Sequence, residues 1–122
     1  MAKPNYSNDE INDHLEQMQK VFRLGKYRQC TNTYRTVTGE VCFYGAVANE
    51  MDPLAWKQYG QKHFEHPAFE MIDRGDGVRH QLADFWLGIE GSDIPFALEN
   101  DYGMTFEMFA DLLEQFKRRP TP

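Results

Sequence analysis

Cysteine is scarce in this chain of 122 residues, with two only, Cys30 and Cys42. A small secreted domain held by disulfides carries more, and two cysteines at this spacing match no four-ligand zinc pattern. Long apolar runs are lacking as well. None approaches the roughly 20 residues that span a bilayer, and the opening MAKPNYSNDE has no apolar leader core. Reduced thiols, a cytoplasmic location and no membrane contact are therefore expected. No repeat, low-complexity stretch or Pro/Gly-rich linker divides the chain. One domain over residues 1–122 is expected, with flexible ends at 1–6 and 118–122.

Charge is missing one sign at a time. Residues 17–39 contain no Asp or Glu, while Lys20, Arg23, Lys26, Arg28 and Arg35 are all positive. Residues 80–116 contain no Lys or Arg, while Asp84, Glu90, Asp93, Glu99, Asp101, Glu107, Asp111 and Glu114 are all negative. With a net charge of −6, the chain is acidic and bipolar, a property that bears on partners and steering and not on fold.

What is present suffices for a core. Apolar residues make up 41% and aromatics 14%, which excludes disorder. A chain of this length buries about two thirds of its unfolded surface without a metal or disulfide. Ser7 and Glu10 form a capping box, and Ile11, Leu15, Met18 and Phe22 then repeat along one helical face, with Gly25 as the stop. Tyr27 to Val41, rich in Thr, Tyr and Val, predicts a short hairpin turning at Thr38-Gly39. That register sets Cys42 opposite Tyr34 and leaves Cys30 too far along the strand for a disulfide. Phe43 to Met51 predicts a helix packed on both sides, whose Gly45, Ala46 and Ala48 admit a close backbone. Asp52-Pro53 predicts the start of another helix, carrying Leu54, Trp56 and Tyr59. Pro67 is expected to end the helix that holds His63 to His66.

Residues 73–77 read as a loop, and Val78, Leu82, Phe85, Trp86 and Ile89 as a helical stripe. Asp93 and Pro95 predict the start of a short helix, and Asn100 to Gly103 a tight connection. Thr105 caps a last helix whose Phe109, Leu112, Leu113 and Phe116 face inward. The fold class expected is mainly α (α+β): a single small helical domain with a short β-hairpin between the first and second helices.

Three blocks carry a resemblance: "LGKYRQ" at 24–29, "YRTVTGEVCFYGAVANEMD" at 34–52 and "LENDYGMTFEMFADLLE" at 98–114. In this order, over about half the chain, they resemble an uncharacterised family of small bacterial and bacteriophage proteins with a "GKYxQ … CCLGVLCD … LNDxGxSFEEIADLIE"-like pattern. Paired cysteines of that pattern are Val41-Cys42 here, a further cysteine is Asn49, and the Glu of the last capping box is Met108. The resemblance implies a fold and a phage or bacterial source. It implies no activity and no catalytic residue.

Several groups invite a chemical reading, each beside a plainer one. Cys42 at a helix start could act as the nucleophile of a small hydrolase or transferase. Equally, it is a small buried hydrophobe, where a serine would bury a hydroxyl in need of a partner. His63 and His66 could share a metal, but no third ligand follows and the zincin spacing is absent. No cofactor is called for. Lys20, Arg23, Lys26, Arg28 and Arg35, interleaved with Tyr27 and Tyr34, have the cation-and-ring pattern of a nucleic-acid or nucleotide site. They also suit a solvated helix end and a guarded strand edge. Glu107, Asp111 and Glu114 share one face of the last helix, which repels DNA and suits a basic partner. The reading that follows is a non-catalytic interaction protein, of phage type, meeting a host protein through charged faces.

Overall fold

Ser7 starts the first helix in the way its sequence dictates. Its hydroxyl accepts the Glu10 N–H at 3.1 Å, and the Glu10 carboxylate accepts the Ser7 N–H at 3.0 Å. Helix α1 then runs over Asn8–Arg23. The computed structural model describes residues 3–119. It is a mainly α, α+β fold in which, among the described residues, five helices are joined by two small antiparallel hairpins.

The buried face of α1, Ile11, Leu15, Met18 and Phe22, packs chiefly against α5 (Phe106–Leu113). Between them lies an aromatic stack. Phe22 meets Phe106 at 4.6 Å between ring centres, and Phe43 meets Phe109 at 4.6 Å and Phe96 at 4.9 Å. Each fully buried ring contributes about 1.5–3 kcal/mol. Helix α2 (Phe43–Met51) crosses this core and is buried on every side over its first six residues. The expected reason for Gly45 holds, since a Cβ there would overlap the Tyr34 carbonyl oxygen.

The hairpin expected between the first and second helices lies elsewhere. The Thr38-Gly39 turn forms, with Thr36 N–H on Glu40 O at 2.9 Å. The flanking strands do not, because Val41 is bridged on one side to Gln29 in parallel and on the other to Arg35. Asn32 reverses the chain at φ 63°, so 27–41 is a folded loop. Cys42 N–H does meet Tyr34 O, at 3.3 Å. In the parallel bridge Cys30 N–H bonds Val41 O at 2.9 Å, a pairing the hairpin register does not predict. Both thiols are free.

Regular hairpins form instead further along the chain. Strand β1 (Lys57–Tyr59) pairs with β2 (His63–Glu65), and β3 (Met71–Asp73) with β4 (Arg79–Gln81). Strands β1, β2 and β4 lie where helices are expected, and β3 where no element is. Pro53 does not start a helix. Asp52 caps the end of α2, and its carboxylate accepts Leu54 N–H at 3.0 Å in a tight turn. Gly60, at φ +66°, then reverses the chain. Phe64 and Ile72 are each buried between exposed neighbours, the period of two that marks a strand. Of the predicted helical stripe, Val78 and Ile89 lie outside the helix, because α3 covers only Leu82–Leu87. The expected 73–77 loop is the β3–β4 turn, held by Asp73, whose carboxylate accepts the N–H groups of Gly75 and Gly77. Helix α4 (Phe96–Asp101) begins after Pro95 and not at Asp93, and Asn100 sits inside it, buried. Thr105 caps α5 as expected.

Of the ends expected to be flexible, 1–2 and 120–122 lie outside the described residues. Arg118 is tied down. Its N–H and C=O both bond the Asn12 amide, at 2.7 and 2.8 Å, and its guanidinium reaches Gly88 O at 3.0 Å. No helix among the described residues is long and apolar enough to cross a membrane.

Candidate functional site

An open cleft of about 920 Å³ lies beside the start of α2. One wall is the loop run Asn32, Thr33 and Tyr34. The other is the run from Lys62 to His66, which contains β2. Cys42, Tyr44 and Phe69 line its base, and Glu70, Ala97 and Asp101 border its rim. Local bonding holds each wall. The Asp101 carboxylate accepts Asn32 N–H at 2.8 Å, the Tyr34 ring stacks on Phe69 at 3.7 Å, and the Tyr34 hydroxyl accepts the Gln81 amide at 3.0 Å.

Cys42 is 8% exposed, at the start of α2. Its sulfur accepts the Gly45 N–H at 3.5 Å. Burial pushes its thiol up, against a smaller downward pull from the Gly45 and Tyr44 amides. The helix-start position that would favour a thiolate is thus overridden by desolvation. Burial likewise raises Cys30, to about 11.

The two histidines do not share a helix face. His63 Nε2 lies 3.1 Å from its neighbour Glu65 on β2. His66 caps the 3-10 turn Pro67–Phe69. Its Nδ1 accepts Ala68 N–H at 3.0 Å, so Nε2 carries the proton and donates it to Asp52 O at 2.8 Å. Both ring nitrogens are committed, and among the described residues no cluster of three or more metal-ligating side chains forms.

The base of the cleft adjoins a polar group the sequence reading missed. Tyr44 donates its hydroxyl to Asp84 at 2.7 Å, and His80 lies 3.8 Å from the same carboxylate. Both Tyr44 and Asp84 are buried. Burial raises the Asp84 carboxyl, with Tyr44 and His80 pulling back. Burial, then the Asp84 charge, pushes the Tyr44 phenol far up. Only the run of carboxylates drew notice to Asp84; its apolar neighbours Ala83 and Phe85 were the signal of burial.

The charged groups are dispersed. Arg23 pairs with Asp111 at 3.1 Å, and Lys26 with Glu50 at 2.6 Å. The Tyr27 hydroxyl is also bonded to Glu50. Arg35 lies over the Trp56 and Phe64 rings at 5.2 and 5.3 Å. Among the described residues, Lys20 and Arg28 make no ion pair. The rings that would stack bases, Tyr27 and Tyr34, are thus bonded or covered within the fold. On the acidic helix Glu107 is exposed, Asp111 faces Arg23, and Glu114 accepts from Gln19 and lies 3.6 Å from Lys117. Compared with family models, curated proteins and solved structures, the chain matches none.

Proposed function

We propose that this is a non-catalytic interaction protein, a phage-type accessory protein acting in the host cytoplasm on a host protein, and that the cleft is its main docking surface. The observation that carries the reading is the cleft itself. It is a wide recess with an aromatic base and a charged rim, in which Cys42 and the His66 imidazole are engaged in holding the fold. Catalysis by Cys42 would need a thiolate and a base beside it. Its thiol is raised, and its hydrogen bond is to a backbone amide. The phage-type source rests on the sequence resemblance. The charged faces keep only a steering role, since part of their charge is cancelled where Arg23 meets Asp111 and Lys117 meets Glu114.

A photo-cross-linking residue at position 33 or 62, in the cleft, tests this against the same residue at 20, on the basic face, and at 107, on the acidic helix. In host cells a protein should be captured from 33 and 62. Capture from 20 or 107 alone, or recovery of nucleic acid, would reject the cleft.

A further inference from the structure

We infer that the cleft receives an extended peptide segment of a partner protein, carrying Lys or Arg, which adds as a third strand to the free edge of β2. The inference rests on the cleft being the docking surface. Among the described residues, strand β2 has a partner on one side only, because its sheet has two strands. Five successive residues, Lys62, His63, Phe64, Glu65 and His66, border the cleft. Successive side chains of a strand point to opposite faces. All three residues of β2 border the cleft and none of β1 does, so β2 turns its unpaired edge, with its backbone N–H and C=O groups, toward that space.

An open edge is a template for another strand. Main-chain bonds to such an edge supply affinity, and recesses for alternate side chains supply selectivity. The strand residues His63–Glu65 extend about 10 Å at about 3.3 Å per residue, which matches about three paired residues of a bound peptide. The base offers the rings of Tyr34, Tyr44 and Phe69, so side chains pointing inward are apolar. The rim carries Glu65, Glu70 and Asp101 against Lys62, so side chains pointing outward are basic. Complementary charge of this kind selects partners and raises the association rate.

The test is a phage-displayed library of random octapeptides selected on the immobilised full chain. Recovered sequences should alternate apolar residues with Lys or Arg. A synthetic copy of one should lose about tenfold in affinity when alternate backbone amides are N-methylated, which removes strand pairing and keeps the side chains. It should lose a similar factor on the Glu65→Gln/Glu70→Gln protein, and backbone amide shifts of residues 62–66 should move on binding. Failure to enrich any peptide, peptides without basic residues, or affinity indifferent to N-methylation would overturn the inference. If those failures accompany cross-links from 33 and 62, the strand-addition mode is wrong while the cleft stands.

Discussion

An added Cβ at residue 45 would overlap the Tyr34 carbonyl oxygen and lie 3.0 Å from its carbon and 3.1 Å from Val41 Cβ. Two of these atoms are backbone and cannot swing aside. Gly45→Ala gains about 1 kcal/mol of helix propensity but overpacks the site by about 1–3 kcal/mol or more. A lowered unfolding midpoint is expected, and an unchanged or raised one would refute the close approach. At Cys42 the structure reverses the sequence expectation for serine. A serine hydroxyl at this position would find the Gly45 N–H that the sulfur now accepts, and serine is a favoured helix cap. Cys42→Ser should stay within about 1 kcal/mol of the parent by denaturant unfolding. The native thiol should react slowly with a thiol probe, and rapidly once unfolded; fast native labelling would revive the enzyme reading. Asp84 sets a pH dependence. Its carboxyl is raised in the folded state, so its contribution is full below the ordinary 3.8 and is lost as pH rises through the folded value. Asp84→Asn keeps an acceptor for Tyr44 and removes the charge. Its unfolding midpoint should exceed that of the parent at pH 8 and match it below about pH 3.8, which thermal melts across pH would check.

At the scale of elements, one buried amide joins three segments. The Asn100 carbonyl on α4 accepts from the Gln29 amide at 2.8 Å and from the first α2 N–H, that of Phe43, at 3.0 Å; its NH2 donates to Cys30 O at 2.9 Å. Gln29 in turn bonds Met104 O and Phe106 N–H, at the start of α5. This network does for residues 27–41 what a strand ladder would have done. Asn100→Leu should cost roughly 2–4 kcal/mol, because it strands several buried donors and acceptors at once. It should also speed hydrogen exchange at Phe43 first; uniform exchange would mean that the joint is not local. Nothing in the sequence marked Asn100 as more than a turn residue, since its partners lie 57, 70 and 71 positions away.

For the whole molecule, the two charge blocks meet. Helix α1, with the cations of its last turn, packs on α5, so Arg23 faces Asp111, while Lys117 from the chain end lies near both Glu16 and Glu114. The repulsion that a run of carboxylates without a cation implies is thereby reduced, and the argument for a dedicated basic partner at Glu107, Asp111 and Glu114 weakens with it. Reversing those three to Lys should lower the unfolding midpoint at low salt, since Asp111 and Glu114 have cations beside them. The loss should shrink as added salt shortens the screening length to about 10 Å at 0.1 M. Association with a cleft partner should slow in the same variant if the face steers. A midpoint difference independent of salt would mean the pairs act by packing alone.

Patterns confined to a few neighbouring residues were decided by sequence alone. The Ser7–Glu10 box, the α1 stripe, the Thr105 cap and the 73–77 turn need only local geometry and a period of 3.6 or a fixed turn offset. Strands of three residues carry at most one buried side chain, Phe64 in β2 and Ile72 in β3 and none in β1 or β4, and that is too little period to tell a strand from a helix; tertiary contacts settled β1 to β4. Val41 could pair with either flank of its loop, and only the folded chain shows that it pairs with both. The cleft is likewise a tertiary object. Its walls, 32–34 and 62–66, lie about thirty residues apart in the chain, and what joins them is Tyr34 stacked on Phe69, a contact between rings that no local spacing announces.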